Sequence, residues 1–321
     1  MFIEELPDGR RRITVNLTDD EIFSPQKEWE TTYPTDLINH ILGIKGAAWV
    51  CDEIMREEDA QYVRKCLEND LLAYFSPEDF KGKRILDFGC GSGASTSILA
   101  RMFPDAEIVG VELFEPLLSI ARKRIEHYKF SNAKLYQSPD GTNLPDGIGQ
   151  FDFVIMSAVF EHLLPDERKI LMPKIWSAIN DDGYLFVNQT PNRFFPIEAH
   201  TTRLPLINYL PDRLTRLAAV KFSKRVAPNE SWENLLRQGI RGATVSEIAR
   251  SLSADKKSVV LLEPKNSGLR DRIDLWYLTT NKENLGAFKA AAKVLLKTLK
   301  AVTGIVLVQD LSLVFKKNEG G

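Results

Sequence analysis

The stretch from Arg84 to Gly93, Arg-Ile-Leu-Asp-Phe-Gly-Cys-Gly-Ser-Gly, constrains this 321-residue chain more than any other. Ile85, Leu86 and Phe88 form a short apolar run of the kind buried in a parallel sheet. Gly89, Gly91 and Gly93 end the run, and Ile98, Leu99 and Met102 then recur at helical spacing. The expected unit is therefore a strand, a glycine turn and a helix. Glycine adopts backbone angles that other residues resist, and it lets a ligand lie against the main chain. The unpaired N–H groups that begin the following helix can receive a ligand's polar atoms.

That unit alone is ambiguous, because Gly89-x-Gly91-x-x-Ala94 also fits a loose dinucleotide fingerprint. Asp87 narrows the choice. It stands two residues before the first glycine and is expected to point a carboxylate into the crevice. There it would repel a diphosphate and pair with an ammonium group. Glu112 closes the next apolar strand, at 107–112, and lies 19 residues after Gly93. At about that distance a carboxylate accepts ribose hydroxyls in nucleotide-binding βαβ units.

The run Asp87-Phe88-Gly89-Cys90-Gly91-Ser92-Gly93 closely resembles motif I of the class I S-adenosylmethionine (SAM)-dependent methyltransferases. The resemblance implies that Asp87, Gly89, Cys90, Gly91 and Gly93 cradle the amino acid end of SAM. It also implies that Glu112 takes the ribose and that Leu113 flanks the adenine. Cys90 is read as a small residue and not as a nucleophile. Behind a third strand at 133–137, the segment from Ser138 to Pro145 resembles the family's adenine-binding segment. By that likeness Asp140 accepts from the adenine amino group and the Gly141 backbone faces the ring. The fourth strand, 151–156, continues as Ser157-Ala158-Val159-Phe160-Glu161-His162-Leu163. This resembles the motif whose strand end faces the transferable methyl, which puts Ser157 with the donor. His162 stands where some related small-molecule enzymes carry a base, with Glu161 to orient it. The alternative is a structural histidine.

The fold class expected is α/β: a Rossmann-like, doubly wound, mostly parallel seven-stranded sheet with an antiparallel last strand. Later strands are expected at 184–189, 258–263 and 304–316, and an edge strand at 11–17. Helices are expected at 53–72, 173–179 and 285–302. The chain divides into a lid at 1–80, a SAM-binding core at 81–190, an inserted acceptor cap at 191–241 and the rest of the core at 242–321. Phe23, Trp29, Tyr33 and Trp49 gather near Pro25 and Pro34 in the lid. The insert crowds Asn192, Arg193, Glu198, His200 and Arg203 among prolines, which stiffen a loop. His200 could take a hydroxyl proton or, with Glu198, bind a divalent metal. The bland reading is that these ions pair with one another. No other set of residues suggests a metal.

Net charge is −2 and no basic, aromatic stripe occurs, which argues against nucleic acid. Three cysteines (Cys51, Cys66, Cys90) without ligand spacing suit a reducing, cytoplasmic setting. The N-terminus is acidic and has no leader-like apolar core, and no apolar run is long enough to span a bilayer. Lys289, Lys293, Lys297 and Lys300 line one helix face, read as solvated or as a peripheral membrane contact. The function expected is O-methylation of a small molecule, glycan or lipid-linked sugar by a histidine base, with S-adenosylhomocysteine as product. C- or N-transfer stays open, as does a monomer or a homodimer. The rival is a non-catalytic SAM-binding scaffold. An NAD-linked dehydrogenase is disfavoured by Asp87 and by the pair of late strands.

Overall fold

The structure, a computed structural model, describes residues 1–16, 26–252, 259–280 and 286–318. The chain opens with three short antiparallel strands, β1 (Phe2–Glu5), β2 (Arg11–Thr14) and β3 (Glu28–Thr31), with β2 central. Ile13 buries one face of β2, while Arg12 on the other face meets its cross-strand partner Glu30 at 2.7 Å. The expected strand at 11–17 thus stops at Thr14; Leu17, Phe23 and Pro25 lie outside the described residues. Helices α1 (Thr35–Lys45), α2 (Val50–Glu58) and α3 (Lys65–Leu72) follow. The single helix expected over 53–72 is broken. The Asp59 carboxylate accepts from the Gln61 N–H at 2.8 Å and begins a new cap, and Tyr62 leaves helical geometry.

The core alternates strands and helices: β4 (Arg84–Phe88), α4 (Ala94–Met102), β5 (Glu107–Glu112), α5 (Glu115–Tyr128), β6 (Ala133–Gln137), β7 (Phe151–Ser157), α6 (Pro165–Ser177) and β8 (Ile179–Pro191). After β8 come α7 (Asp212–Phe222), α8 (Trp232–Arg237), α9 (Val245–Leu252), β9 (Val259–Leu262), α10 (Arg272–Thr280), α11 (Gly286–Thr303) and β10 (Asp310–Lys317). The spatial order is β6-β5-β4-β7-β8-β10-β9. Strands β4 to β8 pair in parallel, and β10 runs antiparallel to both of its neighbours. This is the seven-stranded, mostly parallel sheet with a reversed last strand that the sequence predicts.

The pleat sorts the apolar run into two cores. Leu86, Val109, Val154 and Val187 pack on one face with α6 and α9. Ile85, Ile108, Ile155 and Phe186 pack on the other with Ile98 and Leu99 of α4. Strand order reverses between β4 and β7, so a crevice opens at their carboxyl ends.

Two helices differ from expectation. Residues 173–179 are only the end of α6, which starts at Pro165 with the Glu167 carboxylate accepting from the Leu164 N–H at 2.9 Å. The proline at 173, taken as a beginning, sits inside that helix. On α11 the lysines do not face solvent freely. Lys293 and Lys297 reach Asp274 at 2.7 Å, and Lys300 reaches Asp271 at 3.2 Å. Opposite them Val294, Leu295 and Val302 are exposed. Ser258 and Leu285, expected in the late strand and in this helix, lie outside the described residues. Among the described residues no helix is long and apolar enough to cross a membrane.

Candidate active site

The glycine loop hangs from β4 by the Gly89 and Cys90 N–H groups, which donate to the Val111 carbonyl of β5 at 2.8 and 3.0 Å. Gly89 and Gly93 have φ of 72° and 82°, and neither has room for a side chain. A Cβ at Gly89 would come within 2.7 Å of Val159, and one at Gly93 within 2.6 Å of the Ala121 Cβ. Gly91 is different: φ is 55° and the space beside it is open. Burial pushes the Cys90 thiol well above its usual range, so it stays protonated.

Asp87 is not where the sequence suggested. It is 2% exposed, and one carboxylate oxygen accepts from the Ser95 and Thr96 hydroxyls at 2.7 and 2.6 Å. The side chain turns under the loop and ties it to the first turn of α4. Burial pushes its carboxyl up to about 6. Two hydroxyls at the start of α4 thus hold one oxygen of this carboxylate beneath the loop.

Glu112 does face the crevice. One oxygen accepts from the Leu113 and Phe114 N–H groups at 2.9 and 2.8 Å, the other from the Gly91 N–H at 2.9 Å. Three N–H donors fix the carboxylate and leave lone pairs for a vicinal diol. It borders a cavity of about 290 Å³ with Gly89, Leu113, Asp140, Gly141 and His162. The Asp140 carboxylate accepts from the Thr142 N–H and hydroxyl and from the Asn143 amide, which hold its carboxyl at about 2. Of the residues expected around a donor, Asp87, Cys90, Gly91, Gly93 and Ser157 stand behind this lining. Ser157 accepts from the Gln189 amide at 3.3 Å instead.

A second cavity, of about 420 Å³, opens on the other side of Ala158, between α3, α10 and β10. Its wall includes Arg56, Gln189, His200, Arg272 and Asp310. Ala158 lines both cavities, and Ala158 and Gln189 have φ of 54° and 57°, unusual for residues with side chains. Arg272 gives two of its nitrogens to Glu263, while its Nη1 is buried without a hydrogen-bond partner.

Where the cavities meet, Glu161, His162 and His200 bring their donor atoms within 4.8 Å of one another. His162 Nδ1 lies 2.6 Å from the Arg237 carbonyl, so Nδ1 carries the proton and Nε2 is left bare. Glu161 is 1% exposed and accepts from the Thr190 hydroxyl at 3.1 Å. Its Oε1 has no hydrogen bond and lies 3.8 Å from His162 Nε2. Burial pushes the Glu161 carboxyl up to about 7 and lowers the His162 imidazole, which favours the neutral ring. The His200 ring centroid is 5.5 Å from that of His162. Two nitrogens and a carboxylate could hold a divalent cation or serve as a base, but not both, since a metal would occupy Nε2.

Glu198, expected to work with His200, does not. It is 3% exposed, and its carboxylate accepts from the His200, Thr201 and Thr202 N–H groups and from the Thr202 hydroxyl. It shapes the turn that carries His200, and Glu161 takes the place beside the imidazoles. Asn192 is likewise structural, donating to the Val308 carbonyl at 2.9 Å.

Sequence reasoning missed the support behind the glycine loop. Arg124 of α5 is fully buried and donates to the Glu53 carboxylate of α2 at 3.0 Å and to the Ser92 carbonyl at 3.1 Å. The Ser92 hydroxyl donates to Glu53 as well.

Comparison with known proteins agrees with this geometry. Residues 86–185 match the family model described as a methyltransferase domain. A trans-aconitate 2-methyltransferase of Afipia carboxidovorans is 26% identical, over 76% of this chain and 89% of its own length. One of Variovorax paradoxus is 30% identical over 35% of this chain and 40% of its own. A plantazolicin methyltransferase, solved with a desmethyl analogue and S-adenosylhomocysteine, aligns over 88% of this chain and 96% of its own, at 16% identity and a TM-score of 0.48. Residues 86–185 are thus a methyltransferase domain, on a sheet of the class I SAM-dependent type. The chain is an enzyme of methyl transfer with SAM as donor, and a carboxylate held open for a diol, beside an apolar flank at Leu113 and Leu163, fits that donor.

Proposed function

We propose that this methyltransferase methylates an oxygen of a small molecule, glycan or lipid-linked sugar, with His162 as general base. The observation that carries the reading is the abutment of two cavities at Ala158, with His162 on the rim of one and His200 on the wall of the other. When bound, the donor supplies an electrophilic methyl on a sulfonium. The chain's own residues must align the acceptor and remove its proton. Alignment supplies roughly 7–11 kcal/mol in favourable intramolecular systems. A positioned base adds about 10²–10⁴ in rate.

The bare Nε2 of His162 suits proton removal, because the Arg237 carbonyl fixes the tautomer and burial keeps the ring neutral. Glu161 lies near enough to stabilise the imidazolium once formed. His200 borders the acceptor and suits a positioning role. Arg56 and the unpartnered Arg272 Nη1 favour an acceptor that also carries an acid group. By their names, the trans-aconitate 2-methyltransferases act on such an acid.

The test is turnover of labelled SAM with a panel of hydroxy acids, carboxylic acids and sugars. With an accepted substrate, His162→Ala should lower kcat by about 10²–10⁴ and leave SAM affinity, measured calorimetrically, nearly unchanged. A chelator should leave turnover intact. A loss of only a few-fold in His162→Ala refutes the base assignment.

A further inference from the structure

We propose that the insert following β8 presents a surface that docks onto an anionic lipid bilayer. The observation begins with α7. Its inner face buries Thr215 and Ala219. Its outer face aligns Leu214, Leu217 and Lys221 at helical spacing, and Leu214 and Leu217 are 50% and 54% exposed. Phe222 closes the helix at 64% exposure. The loop before α7 extends the strip with Leu206 at 59% and Tyr209 at 53%. The Tyr209 hydroxyl donates to the Phe194 carbonyl, which joins the loop's two limbs, and the Phe194 ring is also exposed. Contiguous apolar surface of this kind on a water-facing protein marks a contact site.

The charge around the strip selects the partner. Residues 192–229 carry seven Arg and Lys against two acids, in a chain whose net charge is −2. Both acids are already engaged: Glu198 holds backbone N–H groups, and Asp212 pairs with Arg241 at 2.6 Å. Arg203, Arg213, Lys221 and Lys224 are exposed. An apolar helix face with cations beside it and no available carboxylate is the pattern of a helix lying in a membrane interface. Anionic headgroups complement it electrostatically. Helix α11 is the internal contrast. It too exposes Val294, Leu295 and Val302, yet Lys293, Lys297 and Lys300 are paired inward to Asp274 and Asp271, so these cations do not rim its apolar face.

The same insert carries His200 at the acceptor cavity. Docking on this face would bring a membrane-borne acceptor to the enzyme, although the surface argument holds whatever the acceptor.

The experiment is co-sedimentation of the full chain with vesicles of equal parts phosphatidylcholine and phosphatidylglycerol, and with phosphatidylcholine alone. Binding is expected to the mixed vesicles, weaker to the neutral ones, and falling as salt rises. The double variants Leu214→Asp/Leu217→Asp and Arg213→Glu/Lys221→Glu should each bind at least about tenfold more weakly, with unchanged thermal unfolding and SAM affinity. The proposal is overturned if the native chain stays in the supernatant, if either variant sediments like the native chain, or if neutral vesicles bind equally well. It is also overturned if light scattering shows that the apolar variant converts a dimer to a monomer, since the strip would then serve a second copy of the chain.

Discussion

Replacing Glu53 with alanine should destabilise this enzyme far more than a distant helix residue has any right to. Arg124 has no exposed surface, and its charge is balanced chiefly by Glu53, with Lys45 closing the other carboxylate oxygen at 3.1 Å. Although burial works against it, Arg124 and Lys45 hold the Glu53 carboxyl below its ordinary range. Removing the carboxylate strands a buried guanidinium whose remaining backbone acceptors are the uncharged carbonyls of Ser92 and Glu53. Breaking such a pair from one side costs about 3–5 kcal/mol. Urea unfolding followed by circular dichroism measures it, with the slope checked for constancy. Glu53→Gln keeps an acceptor for Ser92 and should cost less. Adding Arg124→Met to Glu53→Ala should recover part of the loss, because the stranded charge is gone. The same Glu53→Ala change should weaken SAM binding, since Ser92 belongs to the glycine loop. A cost below about 1 kcal/mol, or strict additivity in the double variant, would refute the reasoning.

Two further outcomes follow from the geometry. Gly93→Ala puts a methyl 2.6 Å from the Ala121 Cβ at a φ of 82°, so it should cost about 1–3 kcal/mol and weaken SAM binding; unaltered unfolding and affinity would show that the loop tolerates the shift. Asp70 is buried with Asp310 as its charged neighbour, and burial pushes its carboxyl up to about 7. The native state therefore holds a proton that the unfolded chain has already released, so this residue's contribution to stability falls as pH rises from about 4 to 7. Asp70→Asn should stabilise the protein at about pH 8 relative to its effect at about pH 4, and a pH-independent difference between the two proteins would contradict this.

The lining of the smaller cavity was legible in the sequence because it is local. Gly89, Glu112, Leu113, Asp140 and Gly141 each follow their own strand within a few residues, and the sheet brings successive strand ends together. Asp87 turns under the loop because Ser95 and Thr96, eight and nine residues later in the first turn of α4, bond its carboxylate, which strand-end position does not reveal. Glu198 turns away from the His200 ring for a similar reason: the N–H groups of His200, Thr201 and Thr202 in its own turn hold the carboxylate. The larger cavity was legible only at His200, since it joins Tyr62, Gln189, Arg272 and Asp310 from distant parts of the chain. The lysines of α11 misled because an aspartate pair on the neighbouring helix turns the amphipathic face inside out.

The position of β10 between β8 and β9 has a bearing on how the enzyme comes into being. Everything that borders the smaller cavity has been synthesised once Arg237 emerges, whereas the larger one waits for residues 306–313, whose strand lies between β8 and β9. Long-range strand insertion is slow compared with local pairing. The wall of the larger cavity is accordingly the later of the two to be completed in synthesis, along the antiparallel seam of β10 with β8.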